Sequence, residues 1–144
     1  MSISIREINR ENWESCVALK VNREQEGYVA SNMYSIAEVQ FLPNFEAVAI
    51  YNDETVVGFA MFGLDEDDNN YWIYRFMIDE RYQGKGFGKA ALKEIIKKLK
   101  SKPDCTVIMV GNKPDNNGAA SLYKSVGFIE AGQAPWGESL SRYE

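Results

Sequence analysis

The chain has 144 residues, 45% of them apolar and 26% charged, with a formal net charge of −5 and no histidine. That length suits one domain over residues 1–144 with a sizeable core. No apolar run approaches the roughly 18 residues of a membrane span, no apolar centre marks "MSISIREINREN" as an export signal, and the missing histidines exclude every Ser-His or Cys-His mechanism together with the commonest metal ligand.

In chain order, "ISIREI" alternates apolar and polar residues and predicts a strand over residues 3–8. Asn9 is placed to cap a helix on which Trp13, Cys16 and Val17 share a face. "NREQEGYVASN" reads as a loop. "YSIAEVQFL" predicts a second short helix, with Ser35 as its cap and Pro43 as its stop. "FEAVAIY" and "TVVGFAMFGL", joined by the turn-forming "NDE", predict a hairpin. A charged loop, "DEDDNN", leads to a third consecutive strand, "YWIYRFMID".

The stretch "RYQGKGFGKAALKEIIKKLK" follows directly. Gly84, Gly86 and Gly88 sit two apart, and a helix is predicted from Phe87 to Lys100. Leu92, Ile95, Ile96 and Leu99 make its buried stripe, Lys89, Lys93 and Lys97 line another face, and Glu94 and Lys98 form an i, i+4 pair. "CTVIMVG" predicts a short buried strand. Asn116 or Asn117 caps a last helix carrying Ala119, Leu122, Tyr123 and Val126, which Gly127 ends as a C′ glycine. "FIEAGQA" and "ESLSRYE" are strands joined around Pro135–Gly137. The order β-α-α-β-β-β-α-β-α-β-β is that of an α/β protein with a mixed sheet, antiparallel in the hairpin part and parallel around the glycine loop, with a right-handed crossover. Cys16 and Cys105 lie apart in apolar patterns and read as buried hydrophobes rather than zinc ligands, so no metal is expected.

A glycine-rich loop opening a helix offers unpaired N–H groups and a partial positive charge to an anion, and Lys85 and Lys89 add countercharge. A P-loop needs GxxxxGK[ST], which is absent. A dinucleotide fold wants GxGxxG near the first strand, with an acid about 20 residues on. A kinase-type loop joins two strands, not a strand and a helix.

"Gln83-Gly84-Lys85-Gly86-Phe87-Gly88" resembles the Q/R-x-x-G-x-G/A acetyl-CoA loop of the GNAT family of N-acetyltransferases. "YWIYRFMIDERYQGKGFGKAAL" resembles that family's fourth strand running into its third helix. "NNGAASLYKSVGF" resembles its closing helix, with N-x-x-A-x-x-L-Y-x-x-x-G-F read from Asn117. The resemblance covers essentially the whole chain. Within the family, "RFMIDERYQGKGFGK" and "QEGYVASNMYSIAEV" are most similar to the bacterial spermine/spermidine (diamine) acetyltransferases.

The resemblance implies a GNAT fold and a cytoplasmic enzyme that moves acetyl from acetyl-CoA to a primary amine by direct attack in a ternary complex. The CoA pyrophosphate would lie on Gln83, Gly84, Lys85, Gly86, Phe87, Gly88 and Lys89. Its pantetheine arm would run along Phe76, Met77 and Ile78, where a strand bulge opens a V-shaped slot. Asn116 or Asn117 would contact that arm, the alternative for each being simple helix capping. Lys124 would approach the nucleotide end of CoA or face solvent. Tyr123 would be the general acid to the leaving thiolate, against the alternative of a core aromatic beside Leu122 and Val126.

An alkylamine has a pKa of about 10.4, so a carboxylate must take its proton. Glu24 and Glu26, before Tyr28, lie in the loop that walls the family's substrate cleft, and Glu26 is the first choice of base. Trp72 and Tyr74 would line the cleft and hold a cation over a ring, or be buried in the sheet. Asp65, Glu66, Asp67 and Asp68 would attract a polycation or form a solvated turn. The favoured acceptor is a polyamine such as spermidine or spermine; the net acidity agrees with that and equally with ordinary solubility. Neither nucleic acid nor a membrane is expected as a partner, and the family suggests a homodimer through the C-terminal strands. The rival readings are another amine (an aminoglycoside, an amino acid or a protein amine), a CoA-binding module without turnover, and a nucleotide-binding module.

Overall fold

The computed structural model describes residues 2–21, 25–26 and 30–144. The elements are β1 (Ile3–Glu7), α1 (Trp13–Ala18), α2 (Asn32–Val39), β2 (Phe45–Asn52), β3 (Thr55–Leu64), β4 (Tyr71–Ile78), α3 (Phe87–Lys100), β5 (Ile108–Asn112), α4 (Asn117–Ser125), β6 (Ile129–Gln133) and β7 (Ser139–Tyr143), with a 3₁₀ turn over Glu80–Tyr82. Their order is the predicted one. They form one seven-stranded sheet, β1-β2-β3-β4-β5-β7-β6. Only β4 and β5 pair in parallel, joined by the crossover through α3.

Strand alternation sends side chains to two cores. Val48, Ile50, Ala60 and Phe62 pack with α3, Tyr123 and Phe128. Ala49, Phe59 and Met61 pack with Cys16 and Leu19 on the other face, against Ile36 and Val39 of α2. The α3 stripe of Leu92, Ile95, Ile96 and Leu99 is buried as its spacing requires. Lys98 pairs with Glu46 across the core edge rather than with Glu94 on its own helix.

Two local readings change, and one holds. Ser31, not Ser35, caps α2, its side chain accepting from the Tyr34 amide at 3.1 Å. Ser35 is fully buried within the helix, and its hydroxyl has no partner among the described residues. Asn9 does cap the chain entering α1, in a reciprocal box with Asn12: Asn9 Oδ1 accepts from the Asn12 amide at 3.0 Å, and Asn12 Oδ1 accepts from the Asn9 amide at 2.8 Å. Trp13, however, lies exposed while Cys16 is buried.

The sheet opens at one place. Opposite Phe62 and Met61 of β3 stand Ile73 and Arg75 of β4, so Tyr74 is an extra residue. Ile73 and Phe76 are three apart yet both pack toward α3, which a regular strand with a period of two forbids. Beyond this bulge β4 and β5 part: they pair only over Tyr71–Ile73 and Ile108–Val110. Phe76, Met77 and Ile78 keep their β3 partners and leave their other edge to the gap. The expected bulge therefore lies two residues earlier than the segment assigned to the pantetheine arm, and the slot opens along that segment.

Candidate active site

Two cavities occupy the gap. One, of about 400 Å³, runs from the end of β4 to the start of α3 and is lined by Phe76, Met77, Ile78, Gln83, Gly84, Gly86, Phe87, Gly88 and Lys89. The other, of about 550 Å³, lies on the opposite side of α4's first turn, between Trp72, Tyr74, Arg75, Trp136 and Glu138. They share Phe76, Asn116, Ala119 and Tyr123. Tyr123 therefore stands where the two meet.

The first cavity is a backbone site. Gly84 and Gly86 take φ of 77° and 85°, in the left-handed region that other residues reach only with strain. Nothing lies within 4 Å of where a Cβ would stand at either, so the space above the loop is open. The first amides of α3 have no carbonyl within their helix to meet, and they open onto this space. The residues fit a phosphate-bearing ligand such as CoA: a bare loop, a helix N-terminus, and Lys89 on the lining. Lys85 is exposed and lines neither cavity. The Phe87 ring is buried in the core, so that residue offers its amide alone. The Gln83 side chain donates to Ile78 O at 2.8 Å and to Gln25 Oε1 at 2.9 Å, bracing the loop's base.

Asp79 anchors the same junction. It is buried, and its carboxylate accepts from the Lys20 amide at 3.0 Å, the Arg81 amide at 2.9 Å and Arg81 Nε at 2.8 Å. Burial works to raise its pKa, but the bonds from Arg81 and the Lys20 amide outweigh that and hold it below the usual carboxylate value.

Asn116 caps α4 through Oδ1, which accepts from the Ala119 amide at 3.1 Å, and it lines both cavities. Asn117 is exposed and lines neither, as does Lys124. The family pattern counted from Asn117 thus lands one residue past the asparagine that faces the gap. The far end of α4 closes as a Schellman motif. The Phe128 amide bonds Tyr123 O and the Gly127 amide bonds Lys124 O, both at 3.1 Å, with Gly127 at φ 112°. Phe128 packs its ring 5.8 Å from that of Tyr123. This fixes the Tyr123 ring, whose hydroxyl has no hydrogen-bond partner among the described residues. Burial, with the nearby Glu138 carboxylate adding to it, pushes the phenol up to about 12, so it keeps its proton at neutral pH. Tyr123 is a core aromatic that also lines both cavities.

The second cavity is a side-chain site. Trp72 and Tyr74 line it, and Trp72 is nonetheless buried. The acidic turn holds both rings: Tyr74 donates to Asp65 at 2.8 Å and the Trp72 indole to Asp68 at 2.9 Å. Burial and the Asp65 contact raise the Tyr74 phenol well above its ordinary value. Arg75 pairs with Glu38 at 3.1 Å. Glu26 lies in an exposed turn and lines neither cavity. Glu24 and Tyr28 lie outside the described residues. Sequence reasoning missed Trp136 and Glu138; the signal was present in "PWGE", an aromatic and an acid in a tight turn between the last strands. Neither cysteine lines either cavity, and burial raises both thiols, Cys16 to about 11.

The acetyltransferase (GNAT) family model matches residues 3–128. The chain belongs to this family. It is an acetyl-CoA-dependent acetyltransferase, as the glycine loop and the closing helix implied. The chain is 37% identical over 134 residues to the spermine/spermidine N(1)-acetyltransferase of Bacillus subtilis strain 168, covering 89% of this chain and 88% of that protein. Its fold is similar to that of AAC(6')-Ib in complex with paromomycin and acetyl-CoA, with a TM-score of 0.83 at 14% identity, covering 99% and 93% of the two chains. It is also similar to the Vibrio cholerae spermidine N-acetyltransferase in complex with CoA and spermine, with a TM-score of 0.75 at 16% identity, covering 97% and 92%. At such identities the solved structures establish the fold and leave the acceptor open. Among the described residues, no helix is long and apolar enough to cross a membrane.

Proposed function

We propose that this chain, a single domain over residues 1–144, acetylates a polyamine of the spermidine or spermine type. The single observation that carries the acceptor is the 37% identity, over nearly the whole chain, to a spermine/spermidine N(1)-acetyltransferase. The second cavity supports it with aromatic walls from Trp72, Tyr74 and Trp136 and carboxylates from Asp65 and Glu138, surfaces that suit a chain of methylenes carrying cations. In this reading the CoA phosphates lie on the amides of residues 84–89 with Lys89 beside them, and the pantetheine arm follows Phe76–Ile78 to Asn116. The amine enters from the side of Trp72 and meets the thioester beside Tyr123. Attack is direct, since neither thiol reaches the gap and both are held protonated. A cytoplasmic site of action, and a homodimer formed through the C-terminal strands, belong to the same proposal.

Acetyl-CoA supplied with a panel of amines, followed by thiol release, tests this. Spermidine and spermine should give the highest kcat/KM. Turnover with an aminoglycoside and none with spermidine would sink the polyamine assignment. CoA binding without thiol release from any amine would leave a binding module.

A further inference from the structure

The proposed reaction needs a group to take the proton of an arriving ammonium, and the structure points to Glu138. Four other carboxylates near the gap are otherwise engaged or turned away. Asp65 has both oxygens taken, by the Tyr74 hydroxyl and the Asp67 amide, and Asp68 likewise by the Trp72 indole and the Asn70 amide; Glu38 holds Arg75, and neither it nor Glu26 lines either cavity. Glu138 lines the acceptor cavity together with Tyr123, close enough for its charge to act on the Tyr123 phenol.

Its placement is built. A turn closed by Gly137 N to Ala134 O at 2.9 Å and Ala134 N to Glu138 O at 2.8 Å fixes its backbone, with Gly137 at φ 100°. The Trp136 indole donates to Oε1 at 2.6 Å. On β5, Gly111 gives the carboxylate room, since a Cβ there would stand 3.1 Å from Oε1. The other oxygen, Oε2, has no partner among the described residues.

We propose that Glu138 is the proton acceptor for the attacking amine, a role that rests on the acetyl-transfer reading above. The ammonium gives one proton to Glu138. The neutral nitrogen then attacks the thioester carbonyl carbon, forming the C–N bond. The C–S bond breaks, its electron pair stays on sulfur, and Tyr123 donates the proton that makes the thiol. The nitrogen's second proton restores the phenol, and Glu138 releases its own to solvent. One ammonium and one thioester become one amide, one thiol and one proton. The two groups are coupled in the useful direction: once Glu138 carries a proton, its charge no longer opposes ionisation of Tyr123, which becomes the stronger acid at the moment the sulfur leaves.

The test is Glu138→Gln assayed with two acceptors of similar shape, 1,3-diaminopropane and its 2,2-difluoro analogue, whose amines are far less basic. The glutamine oxygen can still accept from Trp136. With the alkylamine, kcat/KM should fall about 100-fold, the usual scale for a lost general base. With the fluorinated amine, which arrives largely neutral, most of that loss should vanish, and the Kd for CoA should not move. Glu138→Asp, which keeps the charge, should recover part of the alkylamine rate. Equal losses on both amines, or none on either, would overturn the assignment and return Glu138 to a structural part in the turn. Wild-type protein that releases no thiol with either diamine or with spermidine would instead remove the acetyl-transfer reading itself.

Discussion

The two halves of the site are made of different material. The half proposed to hold the donor is backbone: two left-handed glycines, a helix N-terminus, and a strand edge freed by a bulge. Its parts fall within residues 76–89, apart from the flanking first turn of α4 and the bracing Gln25. The half proposed to hold the acceptor is side chain, gathered from Asp65, Trp72, Tyr74 and Arg75 together with Trp136 and Glu138. A backbone site recognises what all its ligands share, here phosphates and an amide-bearing arm. A side-chain site can be changed one residue at a time without disturbing the fold. The contrast explains how one fold serves the polyamine- and aminoglycoside-bound structures it is similar to.

Three perturbations test that division, beginning with Tyr123, one of the four residues that line both cavities. Tyr123→Phe should lower kcat by about 10² or more while leaving the Kd for CoA unchanged, because the ring still packs on Phe128 and only an unpartnered hydroxyl is lost. An unaltered kcat would leave Tyr123 as packing alone. The same variant has a pH signature. The folded phenol titrates near 12 and an unfolded one near 10, so the native state favours the protonated form. The resulting stability is complete below about pH 10 and is lost as pH rises toward 12. The wild-type melting temperature should therefore fall relative to the variant's over that window.

Within the donor half, Gly86→Val forces a β-branched residue to φ 85°, at a cost of about 1–2 kcal/mol or a shifted backbone. The Kd for CoA should rise roughly tenfold, since 1.4 kcal/mol is a factor of ten, while the KM for the amine stays put. A change in amine KM alone would contradict the division. The smallest effect on turnover should come from Asp79→Asn. Leaving its buried donors poorly matched costs about 1–3 kcal/mol, read as a lower midpoint in urea, with only a modest rise in acetyl-CoA KM. Because the Asp79 pKa is depressed, its contribution is present above the unfolded value of about 3.9 and is lost as pH falls through the lower folded value. The variant should accordingly flatten the acid limb of stability.

Much of this was legible in the sequence, for reasons of range. The apolar period of α3, the "NDE" hairpin and Gly127 as a helix stop are written within a few residues of one another. The glycine loop is equally local, since positive φ and helix N-termini are properties of short segments. Readings that depended on packing went astray. Trp13 has helical spacing but no space against the sheet. Ser35 has capping chemistry but sits one turn inside α2. Lys98 has an ideal partner at i−4 and pairs with Glu46 instead, because β2 brings a carboxylate closer to where its side chain runs.

The sequence by itself determined the order of elements, the donor loop and the family to which both belong, because those rest on periodicity and on backbone preferences that act over one or two turns. Tertiary structure alone decided that the sheet opens after Ile73, that Asn116 rather than its neighbour faces the gap, and that Glu138 comes to line the same cavity as Tyr123. Each of these depends on registers between strands distant in the chain, and above all on the pairing of β5 with β7, which carries the last tight turn back to the centre of the molecule.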